Sequence, residues 1–130
     1  MTRVTIDDID VMCVVAHAGP AGGPAAFGAL EAPLGSLRGR RFYGTYLDGE
    51  YRACVAIEPG DDPAVLGLET WRIPGGSYER RRLLDWSDHL DEIARAFGEM
   101  EGDLHYDPSR PSIEFYRSAR ELVLLQPVNG

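Results

Sequence analysis

The sequence of 130 residues predicts an α+β fold: a duplicated β-α-β-β unit with pseudo-two-fold symmetry, whose strands form an antiparallel sheet carrying two main helices. Three observations predict it. Hydrophobic periodicity runs strand, helix, strand, strand, and then repeats that order. A polar, Pro-rich connector, Glu58-Pro59-Gly60-Asp61-Asp62-Pro63, separates the two runs. Local sequence also recurs. Phe42-Tyr43 opens the first hairpin and Phe115-Tyr116 the second, while Val55-Ala56-Ile57-Glu58-Pro59 and Val123-Leu124-Leu125-Gln126-Pro127 close them. Two matches in the same order favour duplication over the ordinary likeness of amphipathic hairpins. Repeat one then covers about 10–59 and repeat two about 66–128, within one domain over 1–130. A cleft is expected at the junction, because clefts favour the seam between packed units.

The elements follow from local chemistry. Asp10 to His17 is an apolar run of strand length, closed by Gly19-Pro20. The Ala-rich stretch from Pro24 to Ala32 reads as a helix, with Pro24 in its first turn and Pro33 beyond its end. Phe27, Leu30 and Leu34 give it a short apolar stripe. Arg41–Leu47 and Tyr51–Ile57 are strands joined by Asp48-Gly49, a strong hairpin signal. Leu66–Ile73 and Ser77–Leu84 form the next strand, broken by Pro74-Gly75-Gly76, which marks an edge, bend or bulge. Trp86, Leu90, Ile93, Ala94 and Phe97 recur at helical spacing, with Asp85 as N-cap, Asp88 in the first turn and Gly102 as the stop. Ser112–Ser118 and Leu122–Val128, after a loop over Asp107–Pro111, complete the second unit.

Composition bounds the function. With 44% hydrophobic and 26% charged residues the chain is globular rather than disordered. No apolar run approaches the roughly 20 residues that span a bilayer, and the acidic N-terminus lacks a signal-peptide core, so a cytoplasmic protein is expected. A net charge of −8 argues against direct nucleic-acid binding and against an anionic membrane surface, and leans toward cationic ligands. Cys13 and Cys54 sit in apolar stretches and read as buried thiols. No phosphate-binding glycine loop, paired CxxC or GxSxG is present, and His17, His89 and His105 are isolated, so no cofactor or metal is expected. Arg80-Arg81-Arg82 lies on a strand, where alternation prevents one basic patch.

Glu114 stands out, because it lies within an aromatic and β-branched strand. On a period of two it shares a face with Tyr116, while Ile113 and Phe115 share the other. Two readings stay open. The Glu114 face is wet and the carboxylate pairs with an arginine, while Ile113 and Phe115 pack on a helix. Or the face is covered, where an unpaired carboxylate is costly and can neutralise a lipophilic cation or activate water.

The pieces Ala16-His17-Ala18-Gly19-Pro20, Ile73-Pro74-Gly75-Gly76-Ser77-Tyr78, Asp85-Trp86, Arg110 to Tyr116 and Leu124 to Val128 together resemble the GyrI-like family. That family includes effector-binding domains of AraC- and MerR-type multidrug regulators and a DNA gyrase inhibitory protein. The resemblance spans about Asp10 to Val128 and implies a ligand pocket at the pseudo-two-fold, with Glu114 at the position of the family's pocket glutamate. It implies an aromatic cage drawn from Trp71, Tyr78, Trp86 and Tyr116, with Tyr43 as the repeat-mate of Tyr116. No DNA-binding helix-turn-helix precedes the domain, so the chain is similar to the stand-alone members. Three functions are implied: a binder of apolar, aromatic or cationic drug-like molecules centred on Glu114; a hydrolase of cyclopropane-containing alkylators, with Glu114 and Tyr116 catalytic; or a gyrase-inhibiting interaction module. A homodimer stays open.

Overall fold

The computed structural model describes residues 2–103 and 105–129. In chain order its elements are β1 (Thr2–Ile6), β2 (Ile9–Val15), α1 (Gly23–Glu31), β3 (Phe42–Leu47), β4 (Glu50–Ala56), α2 (Pro63–Leu66), β5 (Glu69–Ile73), β6 (Gly76–Leu84), α3 (Leu90–Glu101), β7 (Ser112–Tyr116) and β8 (Glu121–Pro127). The strands form one antiparallel sheet in the order β1-β6-β8-β7-β3-β4-β2-β5. Asp48 and Gly49 both take positive φ, 52° and 79°, which is the turn geometry that joins β3 to β4 without splaying them.

The order is symmetric about the β7–β3 pair. Exchanging β3 with β7, β4 with β8 and β2 with β6 leaves it unchanged, and the two edge strands exchange as well. Register obeys the same exchange. Thr2 pairs with Arg80 and Ile6 with Gly76 at one edge, while Glu69 pairs with Cys13 and Ile73 with Ile9 at the other. Each unit therefore lends its leading strand to the far unit's edge. Two features of this arrangement escape the sequence reading. Thr2–Ile6 is a strand, although its apolar residues Val4 and Ile6 already alternate with Arg3 and Thr5. And Leu66–Leu84 is not one interrupted strand: α2 takes its start, and Pro74-Gly75 separates two strands at opposite ends of the sheet.

These swaps force the sheet to curl. In a flat sheet β1 and β2 would stand roughly 30 Å apart, since neighbours are spaced by almost 5 Å. Asp7 and Asp8 alone link them, and so short a link reaches only about 10 Å. The same holds for β5 and β6, linked by Pro74 and Gly75. The sheet closes until the two links touch: the Gly75 N–H donates to Asp8 Oδ1 at 2.7 Å. Gly75 is required there, because a Cβ would fall 2.6 Å from the Ile6 carbonyl oxygen. The inner face holds the main core, with Val11, Ile73, Tyr78 and Ile113 fully buried. Cys13 and Cys54 are neighbours there, both as free thiols, and burial raises both thiol pKa values.

The helices pack on the outer face, α1 over β2 and β4, and α3 over β6 and β8. This corrects one expectation. Ile113 and Phe115 do not meet a helix; they point into the closed interior of the sheet, and the helices lie on the Glu114 side. A second correction concerns the start of α3. A 3-10 turn over Trp86–Asp88 intervenes, and Asp85 sits in the left-handed region at φ 52° without capping the helix. Its carboxylate accepts from Arg120 Nε at 3.1 Å instead. Ala96 and Met100 of α3 bury against Leu122 and Leu124 of β8.

Candidate functional site

α1 packs mainly over β2 and β4 and α3 over β6 and β8, so the central β3–β7 pair floors a cleft between the two helices. Gly44 and Glu114 are directly opposite each other in that pair. The absence of a side chain at Gly44 is what makes the site possible. A Cβ there would overlap both the Tyr51 hydroxyl and Glu114 Oε1. With that space open, Tyr51 reaches across from β4 and donates to Glu114 Oε1 at 2.6 Å. Tyr116, two residues along β7, donates to the same oxygen at 2.7 Å. The two hydroxyl oxygens lie 3.4 Å apart. Bonds to an ionised acceptor are the stronger kind.

Both phenols are held as neutral donors. Burial first, and then the Glu114 carboxylate, raise the pKa of Tyr51 and of Tyr116 far above the ordinary tyrosine range. Neither can serve as a base near neutral pH. Their part is to fix the carboxylate, and both bonds fall on Oε1, which leaves Oε2 its acceptor capacity.

Aromatic rings surround this group. Phe27 of α1 meets Tyr116 edge-on, with centroids 5.4 Å apart at 83°, and Trp86 meets the same ring at 5.3 Å and 64°. Trp86 is steadied by its indole N–H, which donates to the Ser118 carbonyl at 3.3 Å. Together with Phe42 and Tyr51 these rings line a cavity of about 510 Å³ that reaches Glu114. A second cavity of about 320 Å³ adjoins it along α3, and Pro20, Tyr51, Leu90 and Glu114 line both. The charged side chains lining the first are Glu31 and Glu114, and those lining the second are Glu101 and Glu114. Among the described residues, neither cavity is lined by a lysine, arginine or histidine.

The structure joins some of the sequence candidates and separates others. Glu114, Tyr116 and Trp86 converge. Trp71, Tyr78 and Tyr43 do not, because they occupy the inner face. Trp71 pairs with Val11 across β5–β2, and its ring lies under the Arg52 guanidinium at 4.3 Å. Tyr78 is fully buried, donates its hydroxyl to the Pro74 carbonyl at 2.6 Å and carries the Arg110 guanidinium over its ring. Tyr43 stacks on Phe115 at 4.9 Å. Nor is Tyr43 the repeat-mate of Tyr116. The β3–β7 register sets Phe42 opposite Tyr116 and Tyr43 opposite Phe115, so Tyr43 and Tyr116 lie on different faces, which a two-fold axis through the sheet does not exchange. The arginine partner expected for a wet Glu114 is replaced by two tyrosines.

Tyr51, Gly44, Phe27 and Phe42 are the site residues that sequence reasoning missed. A two-residue turn at Asp48-Gly49 pairs Tyr46 with Tyr51, which sets Tyr51 and Gly44 on one face. That much was available. The β3–β7 register, which brings Glu114 to Gly44, depends on the tertiary pairing. Among the described residues no group of three His, Cys, Asp or Glu could hold a metal ion, and no helix is long and apolar enough to cross a membrane.

The chain matches no family profile and no curated protein. Its fold is shared with solved structures. An integron cassette protein from the mobile metagenome of Vibrio cholerae has a TM-score of 0.74 at 15% identity, covering 98% of this chain and 95% of its own. A protein solved with tetraphenylphosphonium bound has a TM-score of 0.62 at 13% identity, covering 99% and 93%. A hydrolase from Listeria innocua has a TM-score of 0.61 at 16% identity, covering 98% and 91%. At these identities the likeness is one of fold.

Proposed function

We propose that this chain is a GyrI-like binding domain, made of two repeats over about 10–59 and 66–128, that takes apolar, aromatic cations into the cleft at Glu114. The observation that carries this reading is the chemistry of the lining. A fixed carboxylate sits among Phe27, Phe42, Tyr51, Trp86 and Tyr116, and every charged side chain around it is acidic. Ring faces attract cations by about 0.5–2 kcal/mol each. A cation also supplies the counter-charge that this half-buried carboxylate lacks among the residues lining the cleft. The structural neighbour solved with tetraphenylphosphonium adds support, since that ligand is an apolar aromatic cation. Glu114, Tyr51, Tyr116, Trp86 and Phe27 are the residues assigned to the ligand.

The test uses an isosteric pair. Calorimetric titration with tetraphenylphosphonium is expected to show saturable 1:1 binding, and the same titration with the tetraphenylborate anion is expected to show none. Equal affinity for both ions would mean that the cleft selects for size and apolarity alone.

A second reading is favoured by one detail: Glu114 Oε2 keeps acceptor capacity beside a cleft wide enough for water. There the carboxylate would orient a water for attack on an electrophilic ligand such as a cyclopropane-bearing alkylator. Ring-opened product that vanishes in Glu114→Gln would establish it. Binding of the alkylator without turnover would leave the chain a binder.

A further inference from the structure

The two cavities are related as the two halves of the fold are. The first runs along α1, where Pro24, Phe27 and Glu31 fall at spacings of three and four and so share one face. The second runs along α3, where Leu90, Ala94, Phe97 and Glu101 do the same. Pro20 and Leu90, at the starts of the two helical segments, line both cavities. The cleft therefore has its centre at the helix starts, over Glu114, and extends outward in two arms. Each arm ends at the last residue of a helix, and in both cases that residue is a glutamate: Glu31 ends α1 and Glu101 ends α3.

Both positions are electrostatically unusual. A helix C-terminus carries partial negative charge and favours a cation in its last turn. Neither α1 nor α3 has a basic residue there. Each instead adds a carboxylate, and neither carboxylate is in an ion pair with a described residue. A positive group arriving at either end would meet a carboxylate and the helix end together.

We propose that the cleft accepts one elongated apolar dication, with a flat cationic group in each arm and its apolar middle crossing the rings at Glu114. This rests on the reading that the cleft binds apolar cations, and adds the shape and the number of charges. A rise of about 1.5 Å per residue places Glu31 roughly 10 Å along α1 from Pro24 and Glu101 roughly 16 Å along α3 from Leu90, so a ligand that reaches both glutamates carries its charges roughly 20–25 Å apart.

The test compares two probes of nearly equal size and ring area. One is hexadecane carrying a quinolinium at each end. The other replaces one quinolinium with naphthalene and so carries a single charge. Calorimetry with the full chain at low salt is expected to give 1:1 binding, with the dication tighter by about fivefold, the order that one exposed ion pair supplies. Glu31→Gln and Glu101→Gln should each bring that ratio toward one, as should 1 M salt, where screening acts within about 3 Å. Equal affinity of the two probes in the unmodified protein overturns the dication proposal and leaves the monocation reading standing. So does a ratio that survives both substitutions. Failure of both probes and of tetraphenylphosphonium overturns the underlying reading as well.

Discussion

Four tyrosines of the same sheet divide into two kinds. Tyr43 and Tyr78 lie on its inner face, and Tyr51 and Tyr116 on its outer face. Tyr51 and Tyr78 are almost equally shielded, at 6% and 0% exposure. What differs is the partner. The Tyr78 hydroxyl is satisfied by the backbone carbonyl of Pro74, four residues away. The Tyr51 and Tyr116 hydroxyls converge on one carboxylate oxygen from different strands. Burial alone thus does not distinguish a structural phenol from a site phenol. The polar end of the side chain does, because a buried hydroxyl must be satisfied, and the group chosen shows what that region is built to hold.

The comparison predicts separable outcomes. The largest is on the inner face: Tyr78→Ala should cost about 3–5 kcal/mol of stability through the cavity it leaves, read as a lower midpoint in denaturant unfolding. Any tetraphenylphosphonium affinity retained by the folded fraction would be unchanged. Glu114→Gln should do the converse, leaving the unfolding midpoint within about 1 kcal/mol while weakening tetraphenylphosphonium by about 2 kcal/mol, roughly thirtyfold. Gly44→Ala tests the space the site depends on. Its methyl group must displace the Tyr51 hydroxyl from Glu114, and a loss of affinity near 1–2 kcal/mol is expected. A neutral result would show that the tyrosine contact is dispensable.

The smallest effect is a pH dependence. Burial lifts the Tyr51 and Tyr116 phenols above their ordinary value near 10, so the folded state holds these protons more tightly than the unfolded chain does. Their contribution to stability is therefore complete below about pH 10 and declines as pH rises above it. Tyr51→Phe should flatten the alkaline limb of a stability–pH curve. A limb as steep as that of the unmodified protein would mean that Tyr51 ionises freely while folded.

Much of this division was legible in the sequence, up to the limit of what local pattern encodes. A period of two separated Glu114 and Tyr116 from Ile113 and Phe115, and the hairpin at Asp48-Gly49 fixed the register of β3 on β4. The duplication gave the cleft a place. Which face would carry the helices was not encoded locally, and the expectation placed them on the wrong side. Aligning Phe42-Tyr43 with Phe115-Tyr116 was misleading for the same reason. The match ignores the β3–β7 register, which sets Phe42 opposite Tyr116 and so leaves Tyr43 and Tyr116 on opposite faces. Trp71 was misplaced because Pro74 was read as a bend within one strand. It ends β5, and the sheet swap carries Trp71 to the far edge, on the inner face.

That misplacement supplies the most direct measurement. The chain has two tryptophans, with Trp86 in the cleft and Trp71 outside it. Trp71→Phe leaves Trp86 as the only indole reporter, and Trp86→Phe leaves Trp71. Titrating tetraphenylphosphonium into each should change the emission of the first protein saturably and leave that of the second unaltered. A saturable change confined to the protein that retains Trp71 would contradict the assignment of the ligand to Glu114.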